Sequence, residues 1–256
     1  MTTATDTTAA LSLRNVSRNF GGIRAVSDIS FDVRHGQRLT IIGTNGAGKS
    51  TLFNLIAGSY PLSSGAISIF GEDVTKQAPS KRAGMGLART FQTSKLFAGL
   101  TARQNLFVAL HKTNGVNRKS LLANPAKDEA LVEESNAALT KVDLLHKADV
   151  RVSEFSHGET RQLEVAMALA LNPKLLMLDE PAAGISPSER GKLIDLLKGL
   201  DKDISLLLIE HDMAVALAVA DHVIVMHDGT MFTQGTPDEI RNSSEVRDLY
   251  LGHGHE

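Results

Sequence analysis

The segment Gly43-Thr44-Asn45-Gly46-Ala47-Gly48-Lys49-Ser50 constrains this chain more than any other stretch of it. It follows a short apolar run, Leu39-Thr40-Ile41-Ile42, and precedes Ser50 to Ala57, where Leu52, Leu55 and Ile56 recur at helical spacing. A glycine-rich loop between a buried strand and a helix curls so that its N–H groups point inward, backed by the partial positive charge of the helix N-terminus. Such a loop cradles phosphate. The spacing predicts that Lys49 neutralises the outer phosphates and that Ser50 ligates Mg²⁺.

The rest of the chain supplies the frame. Alternation in Leu11, Leu13 and in Ile29, Phe31, Val33 predicts two half-exposed strands joined through Phe20-Gly21-Gly22, an antiparallel β layer opening the protein. Ile67 and Ile69 predict a further strand before a turn at Gly71-Glu72-Asp73. From Thr101-Ala102-Arg103-Gln104, a capping box, the composition turns helical, and residues 92–171 are expected to form a mostly helical subdomain. Beyond it, the runs Leu175 to Leu178, Leu206 to Ile209 and Val223 to Met226 alternate with helical stretches, the pattern of a parallel sheet. Ser186-Pro187-Ser188-Glu189 and Thr236-Pro237-Asp238-Glu239 each offer an N-cap, a proline at the first helical position and a glutamate two residues later.

Two acids, Asp179 and Glu180, end the run Leu175-Leu176-Met177-Leu178, and so stand at the carboxyl edge where α/β sheets bind ligands. Adjacent carboxylates there need a compensating cation. Asp179 suits Mg²⁺ held through water, and Glu180 suits a general base that orients and deprotonates an attacking water. His211 follows the strand Leu206 to Ile209 and reaches the same edge, either as a structural histidine or as a contact to the terminal phosphate.

Composition narrows the partners. Lys and Arg number 27 against 29 Asp and Glu, a formal charge of -2, so the bias of a phosphate-backbone binder is missing and nucleic acid is not expected. There is no cysteine, which excludes disulfides and thiolate metal sites. The longest apolar run, Met213 to Ala220, falls short of the roughly 20 residues of a membrane-spanning helix. Residues 1–10 and 253–256 are expected to be loose tails, the latter with two histidines too few to hold a metal.

Four features occur together in the order and spacing of ABC-type ATPases, which this chain resembles over nearly its whole length. They are Gln92 in Arg89-Thr90-Phe91-Gln92; Phe155-Ser156-His157-Gly158-Glu159 followed by Thr160-Arg161-Gln162; Asp179-Glu180-Pro181; and His211. The resemblance implies a P-loop NTPase core of α/β class over residues 11–252, with a mainly parallel sheet, the N-terminal antiparallel layer and the helical subdomain. It implies ATP and Mg²⁺ as ligands. Phe20 would stack on adenine, and residues 43–51, Thr51 included, would bind the nucleotide. Gln92 would help ligate Mg²⁺ and report to a membrane partner, and His211 would be the switch histidine. Ser156, Gly158 and the helix start carrying Glu159 would bind the terminal phosphate held by a second copy or a second ATPase subunit. Transmembrane permease subunits and a separate solute-binding protein would complete the assembly, with this chain on the cytoplasmic face of the membrane.

Two positions depart from the family pattern: Phe155-Ser156-His157-Gly158-Glu159 replaces Leu-Ser-Gly-Gly-Gln, and Ser186 stands where an Asp is usual. Both are similar to the branched-chain amino-acid importer ATPases, as are Phe20-Gly21-Gly22, Pro181-Ala182-Ala183-Gly184 and Tyr250-Leu251-Gly252. Import of branched-chain amino acids or a similar small polar solute is therefore expected. Export of lipid or lipopolysaccharide is the nearest alternative. A soluble ABC ATPase acting on DNA or ribosomes would need a long coiled coil or a second phosphate loop, and neither is present. Leu96, Phe97 and Leu100, just after Gln92, form a loop apolar enough to receive a partner helix.

Overall fold

Residues 9–90, 96–113 and 128–251 are described by a computed structural model. By internal contacts the chain divides into two units, Met1–Arg89 with Lys174–Glu180 and Leu200–Glu256, and Thr90–Pro173 with Pro181–Gly199.

In chain order the first unit contains β1 (Ala9–Phe20), β2 (Ile23–Arg34), β3 (Arg38–Gly43), α1 (Lys49–Ile56), β4 (Ser64–Ile69), β5 (Glu72–Asp73), α2 (Pro79–Gly84) and β6 (Leu87–Arg89). Strands β2, β1, β4 and β5 make an antiparallel sheet in that order. Strand β1 starts at Ala9, so two residues expected in the N-terminal tail are structured. Ala9 pairs with Arg34, and Ala10 is buried with its carbonyl accepting from Phe70 N–H at 3.1 Å. The turn expected at Gly71-Glu72-Asp73 lies earlier. Phe70 and Gly71 both have positive φ, 50° and 80°, the signature of a two-residue hairpin turn, and Glu72 already pairs back with Ile69 as β5.

The first unit's second sheet takes up three further strands: β7 (Leu175–Asp179), β8 (Ser205–Ile209) and β9 (His222–His227), plus the antiparallel edge β10 (Thr230–Gly235). Its order is β10-β9-β3-β8-β7-β6, parallel from β9 to β6. Period-2 alternation in β3 assigns its two faces. Leu39 and Ile41 join Leu13, Ile29, Phe31, Ile67 and the α1 residues Leu52, Phe53 and Leu55 in one core, whereas Ile42 faces a second cluster with Val223, Val225, Leu217 and Ile240. That second cluster is built with three helices, α7 (Met213–Val219), α8 (Pro237–Asn242) and α9 (Ser244–Leu251). Because β3 has β8 on one side and β9 on the other, the residues after Gly43 emerge at a topological switch point, where open α/β sheets place their ligands.

The second unit is helical. Helices α3 (Ala102–Thr113), α4 (Glu129–Lys141) and α5 (His157–Ala170) share a core of Leu106, Leu139, Val142, Leu163 and Ala166. Helix α6 (Pro187–Lys198), later in the chain, belongs to the same unit, and its Leu196 packs against that core. Thr101 and Gln104 form the expected reciprocal cap of α3, at 2.9 and 3.2 Å. Among the described residues no helix is long and apolar enough to cross a membrane.

Candidate functional site

The loop from Gly43 to Ser50 owes its path to backbone requirements as much as to side chains. Gly48 has φ of 91°, and a Cβ there would collide with the Ala25 carbonyl oxygen; a Cβ on Gly43 would collide with that of Met226. Only glycine satisfies both positions. Ala47 is buried, whereas Asn45 and Gly46 are exposed at the crest. Helix α1 starts without a side-chain cap, so the positive end of its dipole stays open toward an anion. Its far end is tied down by Arg82, 1% exposed, which donates to the Leu55 and Ile56 carbonyls at 2.9 and 2.6 Å. Sequence reasoning missed Arg82; a lone arginine in a polar stretch carries no signal that it caps a helix nearly thirty positions upstream.

Lys49 is buried, and its Nζ donates to the carbonyls of Gly43 and Thr44 at 2.8 and 2.9 Å. Burial pushes its pKa below the ordinary lysine value, while the charges of Glu180 and Asp179 pull it back up. An ammonium held in this way near two carboxylates, in a glycine-rich loop that leads into an uncapped helix N-terminus, fits the outer phosphates of a nucleotide. Ser50 and Thr51 are half-buried in the first turn of α1, and Thr44 Oγ1 lies 3.5 Å from His227 Nδ1.

Asp179 ends β7, nearly buried. Glu180 follows with φ of 48°, a left-handed conformation unusual for a glutamate, held by its N–H donating to the Ile209 carbonyl at 2.9 Å. His211 Nδ1 stands 3.8 Å from Glu180 Oε2 and 3.9 Å from Oε2 of Glu210, a fully buried carboxylate that accepts from the His211 N–H at 3.2 Å. The loop lysine, the two acids and the histidine are therefore gathered at one sheet edge. A hard cation that keeps several waters needs only one or two protein oxygens, so the Asp179 carboxylate and Ser50 hydroxyl fit Mg²⁺. Among the described residues there is no group of three or more His, Asp or Glu that would form a closed metal cage.

Phe20 ends β1 and is 39% exposed. The Arg18 guanidinium lies 4.5 Å from its ring centre and Tyr60 meets it edge-on at 5.6 Å, which fixes the plane offered to a flat ligand. Tyr250 of α9, quoted above only as part of the importer resemblance, is half-buried, and burial of its hydroxyl pushes the pKa up to about 12, with the Gly43 N–H facing that hydroxyl.

In the helical unit, Ser156 caps α5: its hydroxyl accepts from Glu159 N–H at 3.2 Å while the Glu159 carboxylate accepts from Ser156 N–H at 2.9 Å. Glu159 also pairs with Lys147. Burial works to raise the Glu159 pKa, but Lys147 and the Ser156 N–H outweigh it and the net displacement is downward. Gly158 is buried, and a Cβ there would collide with the carboxylate of Glu189. Gln92 lies outside the described residues.

The family model described as ABC transporter matches residues 26–183. A high-affinity branched-chain amino acid transport ATP-binding protein of Salmonella typhimurium, LivG, is 37% identical over 94% of this chain and 97% of its own length. BraF of Pseudomonas aeruginosa, with the same description, is 36% identical over the same shares. A crystal structure of the ADP conformation of an ATP-binding cassette of an ABC transporter superposes with a TM-score of 0.84 at 30% identity, covering 95% of this chain and 99% of that one. The family model, these relatives and the shared fold agree, and the chain belongs to the ABC transporter family.

Proposed function

We propose that this chain is the ATP-hydrolysing subunit of an importer of branched-chain amino acids, working at the cytoplasmic face of the membrane with permease subunits, a solute-binding protein and a second ATPase subunit. One observation carries the chemistry: Lys49, Asp179, Glu180 and His211 converge on the loop after β3. The names of the relatives carry the cargo and favour import over lipid export.

In this reading Phe20 stacks on the adenine, and the loop amides with Lys49 hold the phosphates. Bound Mg²⁺ would neutralise charge on the outer phosphates, held by the Ser50 hydroxyl, the Asp179 carboxylate and Gln92. Glu180, set by its left-handed backbone and steadied by His211, takes the proton of the attacking water. Ser156, Gly158 and the start of α5 engage the terminal phosphate of the nucleotide on a second subunit, so that ATP binding closes the dimer and hydrolysis reopens it. The apolar side chain offered to a permease helix is Phe97, 51% exposed, whereas Leu96 is packed against the helical core.

The test is Glu180→Gln, which keeps shape and hydrogen bonding but removes the charge of the base. Hydrolysis should fall by about 10²–10⁴-fold, ATP should still bind, and a stable dimer should appear in size-exclusion chromatography with ATP and Mg²⁺. Near-normal turnover would show that Glu180 is not the base; a monomer at saturating ATP and high protein concentration would refute the shared site.

A further inference from the structure

The hydroxyl of Ser156 is already engaged. It accepts from the Glu159 N–H in the cap of α5, and it spends its one proton on Glu189 Oε1, 3.0 Å away across the start of α6. A serine hydroxyl has a single donor. Glu189 is itself held in place, its Oε2 accepting from the Ser186 N–H at 2.8 Å and the Ser186 hydroxyl at 2.6 Å. The same carboxylate lies against Gly158, where a Cβ would have to push it aside. It remains an anion: the Ser186 hydroxyl first, then the Ser186 N–H, hold its pKa below the ordinary carboxylate value. A fixed negative group therefore occupies the Ser156 hydroxyl donor, and crowds Gly158, where α5 would meet a phosphate.

We propose that Glu189 is a positioning residue that competes with the terminal phosphate for the Ser156 hydroxyl, so that dimer closure requires Ser156 to exchange a carboxylate acceptor for a phosphate oxygen. The proposal rests on the reading that Ser156 meets the nucleotide of a second subunit. Its physical content is a threshold. While Glu189 holds the proton, the hydroxyl points along its own unit and presents lone pairs, not a donor, to an incoming anion; the carboxylate adds repulsion. A site that must displace an internal anion closes only on a ligand with enough charge to win the exchange.

The experiment uses the full chain with Glu180→Gln, titrated with ATP and Mg²⁺, reading the ATP concentration at half-maximal dimer by light scattering. Adding Glu189→Gln keeps a side chain that still completes the cap of α6 but is neutral. Losing part of a charge-assisted hydrogen bond should lower the half-maximal ATP concentration by about three- to tenfold. Ser156→Ala removes the donor, and in that background Glu189→Gln should have a clearly smaller effect, the part due to repulsion alone, a coupling that a purely structural role for Glu189 would not produce. Thermal melts of each variant confirm that α6 is retained. An unchanged or higher ATP requirement for Glu189→Gln would overturn the proposal, as would an equal shift with Ser156 absent. If Glu180→Gln alone forms no ATP-driven dimer, the shared-site reading falls and the proposal with it.

Discussion

Lys49→Met should separate nucleotide affinity from stability. In the folded chain Lys49 Nζ donates to two carbonyls, at 2.8 and 2.9 Å, and is only 6% exposed. Methionine keeps the length of the stem but leaves both carbonyls without that donor, a cost of about 1–3 kcal/mol for each one that water cannot reach. Against this, the variant escapes the desolvation that already lowers the lysine pKa. The two terms oppose each other, and the melting temperature should move by only a few degrees. No such offset exists once phosphate is bound. A hydrogen bond to a charged group contributes about 1.5–3 kcal/mol, so ATP affinity should drop by about ten- to a hundredfold. Titration with a fluorescent ATP analogue measures the loss. The pH dependence offers a second reading with a definite sign. Because the folded pKa lies below the ordinary lysine value of 10.5, the unfolded chain binds more protons between the two, and stability contributed by this group rises with pH across that alkaline window. Lys49→Met should lack that increment. ATP affinity within about twofold of the wild type would refute the assignment of Lys49 to the phosphates, since no other residue of the loop carries its charge.

Two further substitutions probe the flanks of the site. Phe20→Ala removes a stacking face braced by Arg18 and Tyr60, and should weaken ATP by about 1–3 kcal/mol while leaving inorganic triphosphate unaffected, as competition titrations would show. Arg82→Met strips the carbonyls at the end of α1 of their donor, and should lower the free energy of urea unfolding by about 2–5 kcal/mol; a loss below about 1 kcal/mol would mean that the helix end finds other partners.

How far these features were legible in the sequence follows from how local their causes are. The phosphate loop, the caps at Ser186 and Thr236 and the alternation in β2 are set within a few residues, and the structure has each where its pattern puts it. Strand β6 has three residues and β10 alternates weakly, so neither carries a period to detect; their pairing partners, β7 and β9, decide them. Glu189 was legible as the third residue of a helix cap and not as the partner of Ser156, because 33 positions separate the two. The same limit hides Arg82, and the approach of Tyr250 to Gly43. Hydrogen bonds between distant segments leave no trace in spacing, and in this chain they are what positions the residues that spacing does reveal.

The departure at Ser186 finds a physical account in the same network. A serine at this position lacks the charge of the usual aspartate, but both residues cap a helix equally well, and the Ser186 cap is complete, with its hydroxyl accepting from the Glu189 N–H at 3.4 Å. The negative charge at the start of α6 comes instead from the Glu189 carboxylate, 2.6 Å from the Ser186 hydroxyl. Serine can donate to that carboxylate, whereas an ionised aspartate can only accept and would repel it. With Ser at position 186, Glu189 is held beside the cap, where its other oxygen meets Ser156. Returning an aspartate to position 186 would set two carboxylates against each other, and the one that can move is Glu189, away from the hydroxyl of Ser156.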